Sequence, residues 1–301
     1  MSTDAAADRD DRLASAISGA LQHAANETLV LARLEEFFSP KPAQLATGEA
    51  EVKALNAQVD RVTALYGGAP RLIFRGINDP KPTYDTYMSA AIDETIEVFK
   101  RARRSLCRAQ AFMIGARMLR TNPELFILPE NEEIRLLFQS STEGVFWEHA
   151  ETTFIRLAGF WDRAGQILDF AFFAIRQYER DGFSAVIDRI RANTLRMKPG
   201  LEANPAWLAI WSHKKSEQED GLQWLLSRRN LLVHSLHLQA TPDPEDDELF
   251  ESAFNHLDVR LRRDLAPSTP EKEIEHLDVH LTKAALLLPH VLTLCELHTE
   301  K

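Results

Sequence analysis

The sequence has little of what builds tight turns or covalent cross-links. Of its 301 residues, 12 are glycine and two are cysteine, Cys107 and Cys295. The two cysteines lie far apart and match no metal-binding spacing, so we expect buried thiols in a reducing compartment. No apolar run approaches the roughly 20 residues that span a bilayer, and the acidic, polar start does not resemble a secretory signal. These absences predict a cytoplasmic protein with no membrane partner.

The motifs that bind common cofactors are also missing. The sequence contains no Walker A loop, no glycine-rich dinucleotide turn, no nucleophile elbow and no paired cysteines, so we expect no cofactor. A formal net charge of −10 excludes a surface that is basic throughout. Basic residues still cluster at 100–108, 188–198 and 260–263, where each cluster is typical of a solvated helix face.

Helical periodicity dominates what remains, and the residue usage favours helices. Helices are predicted at 12–38, 49–66, 85–120, 183–197, 203–213, 216–238 and 271–298, with a very apolar one from about 141. A short strand at Leu72–Phe74 is the only strand candidate. We therefore predict an all-α fold with two regions: residues 1–140, an N-terminal helical region of unknown role, and residues 141–301, a helical bundle.

The apolar segment 146–175 carries more hydrophobic residues than one helix face holds. Phe146, Phe154 and Trp161 share one stripe, while Phe160, Ile167 and Phe170 lie off it. Such a helix must be covered on more than one side, either by neighbouring helices or by another subunit.

Polar residues interrupt the predicted helix 216–238 in the stretch SRRNLLVHS. At about 100° per residue, an arc of roughly 120° contains Leu222, Leu225, Leu226, Leu232, Val233 and Leu236. Arg229 lies near the centre of that arc. A guanidinium there must be buried, paired or at an interface, because an unpaired buried charge costs several kcal/mol. Arg228 lies on another side, where we expect it to be solvated or to reach a phosphate. Asn230, His234 and His237 line the adjoining flank.

Two further histidines, His276 and His280, lie four residues apart, as a pair of metal ligands could. The sequence offers no third ligand, so we expect an exposed polar face and no metal site.

The combination of an imidazole and a guanidinium suits one kind of chemistry. Histidine can transfer a proton near neutral pH, and arginine can hold two oxygens of a phosphate and stabilise growing negative charge. Transesterification of an RNA phosphodiester needs both and requires no metal. It also needs a second proton-transfer group, which a twofold homodimer would supply.

The stretch Arg229-Asn230-x-x-x-His234 resembles the R-x(4–6)-H signature of HEPN domains. The resemblance covers residues 141–301 and implies an all-α bundle that acts on RNA as a dimer. It also implies that Arg229 and His234 are catalytic and that Asn230 supports them. Arg228 and His237 are candidate substrate contacts because of their positions on the same helix. The function expected from it is a metal-independent endoribonuclease, related to toxins or defence, with an antitoxin or regulatory partner.

Two other classes of function stay open. A helical module could bind a nucleotide or RNA without cleaving it, in which case binding would weaken with salt. An interaction protein could use the apolar excess on 146–175 as a docking face, and Arg229→Met would then be tolerated.

Overall fold

The computed structural model describes residues 3–38, 45–46, 48–67, 71–74, 83–125, 130–174, 182–193, 198–234 and 269–299. The described residues form nine α-helices and one two-stranded sheet, so the predicted all-α class is confirmed. The helices are α1 (Thr3–Phe38), α2 (Glu49–Leu65), α3 (Tyr87–Thr121), α4 (Glu132–Phe173), α5 (Phe183–Asn193), α6 (Pro199–Glu202), α7 (Pro205–Lys215), α8 (Leu222–His234) and α9 (Pro270–Thr299).

The sheet is a small antiparallel pair that precedes α3. Strand β1 (Arg71–Phe74) pairs with β2 (Thr83–Thr86), with Arg71 opposite Thr86 and Phe74 opposite Thr83. The predicted strand at Leu72–Phe74 is confirmed.

The long helices α3 and α4 form the centre of the fold and run antiparallel. Phe99 contacts Phe160 with ring centroids 6.0 Å apart, and Phe112 contacts His149 at 5.8 Å, so residue numbers rise along one helix as they fall along the other. Helix α4 starts where the side chain of Asn131 accepts hydrogen bonds from the backbone N–H groups of Glu133 and Ile134, which otherwise lack helical partners.

The predicted apolar excess of α4 is covered within the same chain. Buried side chains of α4 include both the stripe and the residues off it, namely Phe146, Ala150, Phe154, Leu157, Phe160, Trp161, Ala164, Ile167, Leu168, Phe170 and Phe172. Helices α3, α5, α8 and α9 pack around them. The alternative that this segment is an open docking face is therefore wrong, because its side chains are used in the core.

The predicted boundary between residues 140 and 141 does not correspond to a break in the fold. It lies inside α4, and one core cluster contains residues from both sides, such as Ile92 and Phe99 with Trp161 and Leu288. The two predicted regions share this core because α3 supplies one wall of it.

Helix α9 closes the core from the other side. It packs on α2, α3, α4 and α7. Most of its leucines are buried, as is Cys295, whereas Leu286 is 62% exposed. Cys107 of α3 is buried as well, as expected for both thiols. Among the described residues, α9 is the helix that is long and apolar enough to cross a membrane by length and composition, although 56% of its most apolar window is buried within the fold.

Candidate functional site

Helix α8, which carries the predicted site, begins at a turn that only glycine fits. A Cβ built on Gly221 would lie 2.1 Å from the carbonyl oxygen of Ser216. The Gln223 side chain then donates to the Lys214 carbonyl at 3.2 Å and ties the first turn of α8 to the end of α7. The close turn therefore fixes where α8 starts and which of its sides faces the core.

The buried side of α8 has Arg228 at its middle. Leu222, Trp224, Leu225 and Leu231 are buried around it, and Arg228 itself is 2% exposed. Its Nη2 donates to Oε1 of Glu273 on α9 at 2.8 Å. The guanidinium also lies 5.7 Å from the centre of the Phe154 ring. An ion pair with adjacent aromatic packing thus compensates this charge.

This arrangement corrects two predictions about neighbouring arginines. Arg228 was expected to be solvated and is buried, whereas Arg229 was expected at the centre of the apolar seam and is only partly buried. The leucine arc misplaced the seam because it left out Trp224 and Leu231 and counted Val233, which is 45% exposed. The buried side of α8 is therefore centred on Arg228 and not on Arg229.

The open side of α8 brings together part of the predicted catalytic set. Nη1 of Arg229 donates to Oδ1 of the exposed Asn230 at 2.9 Å. His234 is the last residue of α8, one turn after Asn230, and its side chain lies outside the described part of the structure. His237, the second predicted substrate-binding residue, also lies outside the described residues. The structure therefore defines an Arg–Asn pair and the helix end that carries the histidine.

Sequence reasoning missed a layer of histidines and tryptophans beneath this helix. The Trp224 ring contacts two imidazoles of α9: its centroid is 4.8 Å from that of His276 and 5.3 Å from that of His280, whose plane is inclined by 10° to it. On α7, the His213 ring lies 4.6 Å from that of Trp161. Spacing alone gave no signal for this layer, since its members come from four helices.

Burial keeps two of these imidazoles neutral. It lowers the pKa of His280 to about 3, with a smaller contribution from nearby His213, and it lowers that of His213 to about 4, with a smaller contribution from Lys283. Asp220 opposes both shifts. The nearby backbone of Glu219 also acts against the lowering of the His280 pKa. In the described structure, however, neither nitrogen of His280 has a hydrogen-bond partner of good geometry. Desolvation therefore decides the protonation state.

The same layer corrects the reading of the His276–His280 pair. His280 is fully buried, so the pair is not an exposed polar face. His276 lies partly buried, with Nδ1 3.9 Å from a carboxylate oxygen of Glu219. Within the described ranges no group of three or more His, Cys, Asp or Glu side chains could hold a metal. The two rings are packing partners of Trp224.

Comparison of the chain with family models, with curated proteins and with solved structures gave no match. The chemistry open to this region follows from its own groups. Among the described residues, Arg229 uses one of its five N–H donors on Asn230, and the guanidinium can bind an anion such as a phosphate through others.

Proposed function

We propose that this protein has a HEPN-like fold and is a metal-independent endoribonuclease whose active site includes Arg229, Asn230 and His234. The support is the motif together with its place in the fold: α8 belongs to a helical bundle, and Arg229 is on its open side. The observation that carries the proposal is the 2.9 Å hydrogen bond from Arg229 to Asn230, which orients a partly exposed guanidinium.

The proposed reaction is an intramolecular transesterification. A histidine acting as general base takes the proton of the RNA 2′-OH, and the 2′-oxygen attacks phosphorus. Arg229 donates hydrogen bonds to the phosphoryl oxygens as negative charge grows on them. The bond from phosphorus to the 5′-oxygen then breaks, and a general acid protonates the leaving oxygen. The products are a 2′,3′-cyclic phosphate and a 5′-hydroxyl end.

One histidine per chain does not supply both proton transfers, so the proposal includes a homodimer. Leu226 and Val233 each lie three or four residues from both Arg229 and Asn230, on the same side of α8, and Val233 is 45% exposed. An apolar residue beside the Arg–Asn pair suits an isologous contact that brings two copies of α8 together. We further propose a cytoplasmic location, a toxin or defence role, and an antitoxin or regulatory partner, since a ribonuclease in a cell must be restrained.

The deciding experiment measures cleavage of a defined RNA in excess EDTA. Arg229→Ala and His234→Ala should each lower the cleavage rate by about 10²-fold or more, the usual contribution of an acid–base group. Arg9→Ala and His23→Ala, two exposed positions on α1, are matched controls and should cut at the parental rate. Thermal unfolding should be near normal in all four variants. Cleavage by both site variants at the parental rate would refute the proposal.

A protein-interaction role has support of its own. Helix α1 leaves large apolar side chains in solvent, including Leu13 (57% exposed), Leu21 (66%) and Phe37 (84%). The first turns of α4 do the same with Leu137 at 64%. Exposed apolar groups of this kind are typical of binding surfaces. The oligomeric state of Leu13→Gln/Leu21→Gln, measured by light scattering, tests whether α1 holds a partner copy.

A further inference from the structure

The Trp211 side chain on α7 is partly exposed and packs on the hydrophobic core. It lies nearly parallel to the buried Trp207, with ring centroids 5.8 Å apart and planes at 15°. Trp207 belongs to the core cluster. The stack therefore fixes the orientation of the exposed ring before any ligand arrives.

Three cations from two helices converge on this ring. The guanidinium of Arg191 on α5 lies 4.6 Å from the Trp211 centroid, and the amines of Lys215 and Lys214 lie at 4.9 and 5.2 Å. Asp188 holds Lys214 through both carboxylate oxygens at 2.8 Å.

Arg191 and Lys215 are exposed, and no carboxylate of the described ranges pairs with either. Three cations and one carboxylate leave this patch positive in a chain of net charge −10.

The ring attracts each cation through its quadrupole, but the cations repel one another. A bound anion would remove that repulsion. A flat aromatic surface among cations is how proteins hold single-stranded nucleic acid: bases or guanidiniums stack while amines contact phosphates.

We propose that Trp211, Arg191 and Lys215 form a contact site for single-stranded RNA on the face shared by α5 and α7. The choice of RNA rests on the proposed ribonuclease function. Leu208, 52% exposed, lies one turn before Trp211 on α7. An exposed leucine, a tryptophan and lysines could also bind an anionic membrane, which makes vesicles the competing arm of the test.

The test measures binding of a fluorescent 2′-O-methyl oligonucleotide to the full chain by anisotropy at several salt concentrations. Such an oligonucleotide has no 2′-OH to react, so binding is read without cleavage. Arg191→Glu/Lys215→Glu should weaken binding about 10-fold or more and reduce the slope of log K against log salt by about 0.7 for each phosphate that the variant no longer neutralises. Trp211→Leu should weaken binding about 10-fold, the usual effect of losing one stacked base, with the slope unchanged.

The matched control is Arg9→Glu/Lys53→Glu, which makes the same charge change at exposed positions on α1 and α2. It should bind within about 2-fold of the parent, since its cations are not at the site. Two results would overturn the contact site: equal losses of oligonucleotide binding in the two double variants, or no loss of binding in Arg191→Glu/Lys215→Glu, the patch variant. So would parental oligonucleotide binding in the patch variant together with a loss of binding to phosphatidylserine vesicles.

These results separate the contact site from the proposed activity. If the parent does not cut RNA but patch-dependent oligonucleotide binding is found, the ribonuclease proposal fails and the contact site stands. If the parent cuts RNA in a His234-dependent way but the patch variant binds normally, the contact site fails alone.

Discussion

The Arg228–Glu273 pair allows a sharp test, because its arginine lies next to another in a different environment. Both side chains of the pair are 3% exposed and 2.8 Å apart. At an effective dielectric constant of about 20, their Coulomb attraction is roughly 6 kcal/mol. The desolvation of two charges offsets most of it. Arg228→Met keeps the apolar stem but leaves a buried carboxylate without its guanidinium, so we expect the free energy of unfolding to fall by about 3–5 kcal/mol.

A second change should recover that loss. Arg228→Met/Glu273→Leu replaces both charges by apolar side chains, and such replacements range from neutral to about 1–4 kcal/mol stabilising. Urea unfolding followed by circular dichroism measures all variants, and a double-mutant cycle gives the coupling between the two residues.

Arg229→Met is the neighbouring control. Arg229 is only partly buried and hydrogen-bonds the adjacent Asn230, so its loss should change stability by no more than about 0.5 kcal/mol. Two outcomes would refute the reasoning: a larger effect for Arg229→Met than for Arg228→Met, or a coupling energy near zero in the cycle.

Acidification should destabilise the protein through His213 and His280, whose pKa values in the fold, about 4 and about 3, lie below the ordinary 6.5. Below pH 6.5 the two histidines bind protons in the unfolded chain but not in the folded protein, so the free energy of unfolding falls. It continues to fall until the pH reaches the folded pKa values. Each ring should therefore cost about 2 kcal/mol between about pH 7 and pH 5; an unchanged acid slope of urea midpoints in His213→Leu/His280→Leu would contradict this. Gly165→Ala should destabilise by about 1–3 kcal/mol, because its Cβ would lie 3.0 Å from the α5 backbone, whereas Gly159→Ala, with nothing within 4 Å, should stabilise by up to about 1 kcal/mol. Ala174→Gly should raise stability by about 1 kcal/mol, because Ala174 has φ 54°, and thermal melts check all three.

The helices could be predicted because their signal is local. An apolar residue every three or four positions marks a helix whatever it packs on, and Phe146 to Phe172 showed both that α4 exists and that it is covered on several sides. The break after α3 and the end of α1 follow equally from nearby prolines.

The orientation of α8, in contrast, depends on residues far away in the sequence. Arg228 and Arg229 differ by about 100° around the helix, and leucine counts placed the wrong one inside. The deciding partner, Glu273, is 45 residues further along, in a first turn where an acidic residue is ordinary. The surroundings of Trp211 likewise depend on Arg191, which belongs to another helix. The spacing of residues within one helix does not show which residues of other helices they contact.

The packing of α9 has a consequence for how the chain is made. This helix contributes buried leucines to α2, α3, α4 and α7, and it is the last described helix to leave the ribosome. Until the chain has emerged from the ribosome as far as about residue 299, the aromatic side chains of α4 lack the packing that α9 provides. We therefore expect nascent chains to be held by chaperones and to fold only once this segment is free, and chains cut before residue 270 to aggregate.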